Sequence, residues 1–390
     1  MTALPRVLWP LLFGNFVIGT GVMAVPGTLN EIGESLAITP AAAGQLISAG
    51  AILMCIGAPL CAAFVAGWDR RRLLAYSMVW FAVFHLACAA APDFGTLLPL
   101  RVLALLPPAV FTPQAAACIG LLVPPQQRGR AVTFVFLGWS VASVLGMPLA
   151  ALVGGTFGWR TVFACVAVLA AIAAAWVWRA MPDGVKPPAL SLASWKQTFR
   201  SRPLMLCVLV TVLCGAGQFT VFAYFAPYMR QRLGASAAEL SAIFLWYGVF
   251  GFLGNVLVSR YIERWGVHRA VMVTTGLMGV SMLLLPLGTS IVLMAVVIVP
   301  WALGCFSMNS AQQARLIGIA PSLAAGSVAL NTSAIYAGQA IGAGGGGWLI
   351  THMGMGALGW AAAAWIALAM IASAMATRAA FASAPSPAGA

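Results

Sequence analysis

Long apolar stretches alternate with short polar ones along nearly the whole chain. A helix needs about 20 mostly apolar residues to cross the hydrocarbon core of a bilayer. Twelve stretches of the 390-residue chain reach that length, and they predict twelve transmembrane helices. The fifth lies after 123–130 and the sixth ends near 180; the other predicted bounds are 8–29, 41–67, 73–91, 96–122, 203–227, 241–261, 270–288, 291–314, 325–351 and 357–377.

One long polar interval, 181–202, divides these helices six and six. It predicts a cytoplasmic linker between two bundles, 1–180 and 203–378, followed by a disordered tail at 379–390. The halves also repeat each other: LLVPPQQRGRAV follows the fourth helix and GIAPSLAAGSV the tenth, with the same Pro-to-Gly separation. Internal repeats are typical of secondary transporters, whose substrate site lies near the membrane midplane.

Composition places the chain in a membrane. It is 62% hydrophobic and 7% charged, whereas soluble globular chains carry about 25% charged residues. The net charge of +13 follows topology, because sixteen of the twenty Lys and Arg, Arg315 among them, fall on alternate loops and termini. This asymmetry predicts cytoplasmic termini and no nucleic-acid partner. The eight cysteines lie in apolar stretches without metal-type spacing, so we expect no cofactor, metal or disulfide framework.

Small residues are concentrated in the fifth predicted helix, GWSVASVLGMPLAALVGGTFGWR, at 138–160. In a bilayer small side chains let two helices approach closely. Pro148 removes a backbone donor and predicts a bend near Gly146. The segment therefore predicts a hinge packed against a neighbouring helix.

The Gly146-x-Pro148 pattern before Gly154-Gly155 resembles the fifth-helix antiporter motif of the major facilitator superfamily, in its twelve-helix drug:proton antiporter branch. GNFVIGTGVMAVPG, GQFTVFAYFAP and ALNTSAIYAGQAIGA are similar to bacterial arabinose or sugar efflux permeases. The resemblance implies two pseudo-symmetric six-helix bundles that export a small neutral or polar drug, sugar or metabolite by alternating access. It also implies coupling to proton entry across the bacterial inner membrane. We expect a monomer whose partners are substrate, protons and lipid.

The loop after the second helix, GWDRRR, combines Asp69 with three arginines. It is similar to a superfamily motif that latches the halves on the cytoplasmic side, and ERWGVHR at 263–269 repeats it; a basic topology anchor is the alternative interpretation. The predicted gating or conformational residues are Asp69, Arg70, Arg72, Gly146, Pro148, Glu263 and Arg264.

Candidates for proton coupling are few, because all seven acids fall at helix ends or in loops. Where related antiporters place a carboxylate in the first helix, this chain has Val22 and neighbours that cannot titrate. Arg101, in LPLRVLALLPP, resembles the superfamily's fourth-helix arginine, although it could also snorkel to the outer interface. We predict coupling through Glu31 paired with Arg101, with His85 as a second carrier or a neutral packed side chain.

The superfamily lines its cavity with helices 1, 4, 7 and 10, and here these helices carry polar but uncharged residues. Any one of them could instead join two helices by a hydrogen bond. Without an acid to hold a cation, the cavity favours neutral substrates over quaternary ammonium compounds. The candidates are Asn15, Thr20, Thr112, Gln114, Gln218, Tyr224, Asn309 and Gln312.

Other function classes fit poorly. An enzyme would need converging chemistry, yet His85, His268 and His352 are far apart and no HExxH or GxSxG run occurs. The chain lacks the GxxxxGK[ST] loop of ATP-driven pumps, and 181–202 is too short for a sensor's output domain. An uncoupled facilitator or an uptake permease is the second hypothesis, because the first-helix carboxylate is missing.

Overall fold

The computed structural model describes residues 6–65, 67–124, 128–186 and 192–382. Within these ranges the regular elements are all helices. Eleven described helices are long and apolar enough to cross a membrane, and Ala324–Met353, with 30 residues, is a further helix of that length. The predicted all-α membrane fold with twelve long helices is therefore confirmed. We number these helices spans 1 to 12.

Spans 1 to 6 make up the N-terminal half. Two of them are interrupted: span 4 consists of two α-helices, and span 5 contains a short π-helix. Their bounds are Leu8–Ser35 (span 1), Pro40–Phe64 (span 2), Arg70–Ala89 (span 3), Phe94–Ala104 with Leu106–Leu122 (span 4), Arg128–Val141 with π-helix Ala142–Gly146 and Met147–Phe157 (span 5), and Trp159–Ala180 (span 6).

Spans 7 to 12 make up the C-terminal half, preceded by the linker helix Leu192–Arg200. Spans 7 and 10 are also interrupted. The bounds are Arg202–Phe222 with Phe225–Leu233 (span 7), Ala237–Trp265 (span 8), Val267–Leu284 with Leu285–Leu287 (span 9), Ile291–Val297 with Val299–Ile319 (span 10), Ala324–Met353 (span 11) and Ala357–Ala382 (span 12).

Local chemistry explains the sharp connections. Asp93 accepts a hydrogen bond of 2.8 Å from the Thr96 backbone N–H and so caps span 4. Gly158 and Gly354, at φ 86° and 79°, form the turns between spans 5 and 6 and between spans 11 and 12. Residues with a Cβ rarely adopt such backbone angles, so glycine permits both turns. The two turns occupy equivalent places in the two halves.

Several predicted boundaries need correction. Span 4 was predicted as one helix, but it breaks at Leu105 because Pro107 and Pro108 supply no backbone donors. Span 12 extends through Ala382, so the predicted tail begins later; 383–390 lie outside the described residues. Arg315 is not a loop cation. It is fully buried in span 10, where its guanidinium donates to Ser373 Oγ at 2.9 Å and Thr377 Oγ1 at 2.8 Å.

Glycines bring spans 7 and 11 into backbone contact. A Cβ built on Gly338 would lie 2.8 Å from Gly215 Cα and 2.9 Å from Ala216 N. No side chain can rotate to relieve such an overlap, since the neighbouring atoms are backbone. Gly345 lies on the same span with nothing within 4 Å of its Cβ direction. The same Gly→Ala substitution at the two positions therefore distinguishes the effect of packing from that of helix propensity.

We predict that Gly338→Ala destabilises the protein while Gly345→Ala does not. Overpacking typically costs about 1–3 kcal/mol, which corresponds to an apparent melting temperature lower by about 3–10 °C. Thermal unfolding followed by size-exclusion chromatography in detergent measures this change. Equal melting temperatures for the two variants would show that the contact between spans 7 and 11 is not tight.

Candidate functional site

The two ends of the helix bundle differ in how the halves meet. We call the end with Asp69 and the 181–186 segment the linker face, and the opposite end, with Glu31 and Arg230, the far face. Among the described residues, every hydrogen bond and ion pair between the halves lies toward the far face. The halves are thus closed there.

Closure of the far face involves spans 5 and 8, spans 2 and 11, and a contact between spans 2 and 7. Ser241 on span 8 donates a hydrogen bond of 2.9 Å to the Pro148 carbonyl on span 5. A Cβ on Gly248 would lie 2.6 Å from the Ser143 carbonyl oxygen. Gly44 on span 2 leaves room for the ring of Tyr224 on span 7. The halves therefore meet through small residues and backbone atoms.

At this face the side chain of Arg230 forms ion pairs from one half to the other. Arg230 Nη1 at the end of span 7 lies 3.4 Å from Glu31 Oε1 and 3.2 Å from Glu34 Oε1 at the end of span 1. The Glu31 side chain is only 14% exposed, and its Oε2 is buried without a hydrogen-bond partner. Glu31 is thus a largely buried acid bound by a cation of the other half.

On the linker face, the described bonds of Asp69 lie within one half or reach the adjoining 181–186 segment. Asp69 accepts from the backbone N–H groups of Arg72, at 3.2 Å, and Gly184, at 2.5 Å. Arg70 donates to the Val65 and Trp68 carbonyls. Glu263 and Arg264 are exposed, and none of the described ion pairs includes them. A latch between the halves thus stays a prediction, for a conformation in which this face is closed.

The bend predicted in span 5 coincides with the π-helix Ala142–Gly146, directly before Pro148. Proline cannot donate to the carbonyl four residues earlier, so the hydrogen-bond register changes there. Thr20 of span 1 packs against Gly146, where a Cβ would lie 3.1 Å from Thr20 Cγ2. Movement of span 5 at this bend stays a prediction.

Arg101 lies deep in the N-terminal half and is 1% exposed. Its Nη2 donates to the Gly21 carbonyl at 2.9 Å, and Nη1 lies 3.2 Å from His85 Nε2. A guanidinium only donates, so His85 Nε2 accepts, and its Nδ1–H donates to the Phe81 carbonyl at 2.9 Å. His85 is thereby assigned as a neutral imidazole.

A helical hydrogen bond missing from span 1 leaves a third partner for Arg101. Pro26 has no N–H for the Val22 carbonyl, and Arg101 Nη2 reaches that carbonyl at 3.4 Å. The predicted ion pair between Glu31 and Arg101 is therefore wrong for this conformation, since Glu31 binds Arg230. The physical reason is that backbone carbonyls and a neutral imidazole already satisfy Arg101.

Polar cavity candidates of the N-terminal half form a chain of hydrogen bonds. Thr112 on span 4 donates to Asn15 Oδ1 on span 1 at 2.7 Å, and Asn15 Nδ2 donates to the Val135 carbonyl on span 5 at 3.2 Å. The indole N–H of Trp139 donates to Thr112 Oγ1 at 3.3 Å. Asn15 is fully buried, whereas Thr112 and Trp139 are partly exposed. The chain links three spans.

A matching chain occurs in the C-terminal half. Thr211 on span 7 donates to Asn331 Oδ1 on span 11 at 2.5 Å, and Asn331 Nδ2 donates to Asn309 Oδ1 on span 10 at 3.2 Å. Gln312 Nε2 donates to the Cys207 carbonyl at 2.5 Å. Thr211 and Asn331 are buried, and Asn309 is partly exposed.

The remaining candidates lie in different surroundings. Thr20 Oγ1 is buried without a partner, and Tyr224 donates to the Ala343 carbonyl of span 11 at 2.6 Å. Gln114 is largely buried and Gln218 partly exposed, and the described hydrogen bonds include neither side chain. Sequence reasoning missed Arg230, Trp139, Thr211 and Asn331. The repeat could have indicated Thr211, which stands 196 residues after Asn15.

Comparison with known proteins assigns this architecture. The family model described as Major Facilitator Superfamily matches residues 11–328 and 208–390. The chain belongs to the Major Facilitator Superfamily. Proteins of this superfamily are membrane transporters that act on small molecules, and the fold and relatives of this chain are those of transporters rather than enzymes.

Two relatives and one solved structure are informative about this superfamily member. It is 29% identical over 362 residues to a probable sugar efflux transporter of Mannheimia succiniciproducens, covering 90% of this chain and 88% of that protein. It is 32% identical over 265 residues to a chloramphenicol resistance protein of Streptomyces lividans, covering 67% and 68%. An inward-facing bacterial homologue of the human lysosomal transporter Spinster matches at a TM-score of 0.79, with 16% identity and 98% of both chains covered.

We predict that Gly248→Leu opens the far face, because leucine cannot occupy the space of the Ser143 carbonyl. Spin labels at Phe157 and Thr289, exposed residues near the far ends of the two halves, report the separation by electron–electron resonance in a cysteine-free background. The distance between the labels should lengthen. Gly276→Leu is the control, since its nearest outside atom is Met370 Cε at 3.8 Å. An unchanged distance in Gly248→Leu would contradict the prediction.

Proposed function

We propose that this protein exports small neutral organic molecules across the bacterial inner membrane by alternating access, in exchange for protons. The names of two relatives, a sugar efflux transporter and a chloramphenicol resistance protein, support export of uncharged molecules. The excess of Lys and Arg on alternate loops supports a cytoplasmic linker face and cytoplasmic termini. In this assignment the structure is the state that faces the cytoplasm.

The observation that carries the proposal is the concentration of cross-half contacts at one face. A carrier that alternates needs two faces that close in turn, and here the far face is closed by contacts that the linker face lacks among the described residues. Glycines, a hydroxyl and partly exposed charges contribute to this interface, and buried apolar side chains of both halves pack beside them.

Glu31 supplies the proposed link to protons. Arg230 attracts Glu31 only while the carboxylate is ionised, so a proton on Glu31 removes one tie between the halves. Other charged groups surround this pair: Glu34 shares Arg230, and Arg160 on span 6 donates to Ser35 Oγ at 3.0 Å. Far-face closure returns Arg230 to Glu31 and so favours departure of the proton.

His85 is the second candidate for coupling, and its surroundings favour a different role. Its imidazole accepts from Arg101 and donates to a carbonyl of its own helix. These groups all belong to the N-terminal half, so movement of one half against the other leaves them unchanged. His85 and Arg101 are therefore assigned to holding spans 1, 3 and 4 together.

The second candidate function is uncoupled facilitation. It is favoured by the interior of span 1, where Gly21 and Val22 offer carbonyls to Arg101 in place of a carboxylate. Both candidates share the fold and the cavity. They differ in whether a pH gradient concentrates the substrate.

We predict that Glu31→Gln abolishes accumulation driven by a pH gradient. Purified protein in liposomes, with an imposed gradient, is tested for gradient-dependent accumulation of radiolabelled chloramphenicol and L-arabinose. Glutamine keeps the shape of the side chain but cannot exchange a proton, so only equilibration should remain.

Asp93→Asn is the matched control, because Asp93 is an exposed far-face acid whose capping role asparagine can fill. Full accumulation by Glu31→Gln would exclude proton coupling through Glu31. Loss of accumulation in His85→Gln would then favour coupling through His85. Equilibration by the wild-type protein that ignores the gradient would establish the facilitator.

A further inference from the structure

The two polar chains occupy equivalent positions of the internal repeat. Pro124 and Pro321 mark the end of the repeat, and Thr112 and Asn309 share their separation of 197 residues. Asn15 and Thr211 differ by 196 residues, as do Val135 and Asn331. Each hydrogen-bond chain thus joins the first, fourth and fifth spans of its half at equivalent positions of the repeat.

In the hydrogen-bond chain of the N-terminal half, no N–H or O–H group remains that could donate to a ligand. The Thr112 hydroxyl donates to Asn15 and accepts from Trp139, and that bond uses the only N–H of the indole. Asn15 has 0% exposure, so its second amide hydrogen is out of reach of a ligand. The N-terminal hydrogen-bond chain therefore presents the partly exposed indole ring of Trp139 to a ligand.

The C-terminal chain ends differently, at the amide of Asn309. Its side-chain oxygen accepts from Asn331, and its NH2 group has no described partner. If the amides of Asn309 and Asn331 were both turned over, Asn309 would donate one hydrogen to Asn331 and still keep the other. In either orientation a partly exposed N–H is available on span 10.

We propose that the Asn309 amide donates the hydrogen bond that selects the substrate, opposite the indole of Trp139. The site accepts a neutral molecule that carries an oxygen acceptor, such as a hydroxyl, carbonyl or nitro group, beside an apolar or flat surface. This inference rests on the proposed transport of neutral molecules and names the specificity-determining residue. Asn331 acts as a positioning residue because it bonds directly to the Asn309 side chain.

The test is direct binding, without a membrane or a pH gradient. Equilibrium dialysis of purified full-length protein in detergent, with radiolabelled chloramphenicol and L-arabinose as probes, gives the dissociation constants. We expect saturable binding of at least one probe, and Asn309→Ala should weaken it about tenfold, as expected for one lost hydrogen bond. Asn309→Ser keeps a hydrogen-bond donor, so its dissociation constant should lie between those of the wild-type protein and Asn309→Ala.

Thr211→Val is the matched control, since it cuts the same chain at its buried end. It should lower thermal stability as much as Asn309→Ala does while the dissociation constant stays within about twofold. Equal loss of affinity in the two variants would assign Asn309 a purely structural role. Unchanged affinity in Asn309→Ala, or no saturable binding of either probe by the wild-type protein, would overturn the inference.

Because the assay has no gradient, it is independent of proton coupling. Wild-type liposomes that ignore the gradient would remove the antiport proposal and leave the Asn309 assignment standing. If Asn309→Ala still accumulates substrate in response to the gradient, with unchanged apparent affinity, the antiport proposal stands and the Asn309 assignment is removed.

Discussion

Close approach between helices is the constraint on which the rest of this structure depends. Lipid chains are as apolar as leucine, so helices in a bilayer associate through packing and internal hydrogen bonds and not through expulsion from water. Gly338 against Gly215 joins two spans within one half, and Gly248 against Ser143 joins the halves. The same device therefore builds the bundles and closes one face between them, and in the proposed alternating-access cycle only the contact between the halves separates.

Buried cations impose the next requirement, and two of the buried arginines, Arg101 and Arg315, meet it without an acid. Arg101 uses carbonyls of span 1, one of them freed by Pro26, and Arg315 uses a carbonyl and hydroxyls of span 12. Each set of partners lies within one half. In the proposed cycle, movement of one half against the other leaves these sets intact, whereas the pair of Glu31 with Arg230 joins the two halves. That difference favours Glu31 as the group that senses the state of the transporter.

The parts of the fold that follow from periodicity and local chemistry were predictable from the sequence. Twelve apolar stretches gave the long helices, and the π-helix of span 5 lies just before Pro148, where the sequence predicts a bend. Arg315 was misassigned because the apolar residues after it end at Ile319, shortly before Pro321. So short a stretch after a charged residue is typical of a loop. The partner of Arg101 was missed because backbone carbonyls carry no sequence signal, and Arg230 because only the closed far face brings it to Glu31.

The polar contacts across the far face are individually weak, and packing supplies the rest of its closure. The Arg230 side chain is 41% exposed and that of Glu34 67%, and exposed ion pairs contribute about 0–1 kcal/mol. The Ser241 bond to Pro148 adds a contribution of similar size. A ligand shifts a conformational equilibrium by its difference in affinity for the two states, so the contribution of one of these polar contacts is of a size that one proton or one substrate hydrogen bond can offset. Tighter closure would require a larger affinity difference, and the halves would then alternate only with strongly bound substrates.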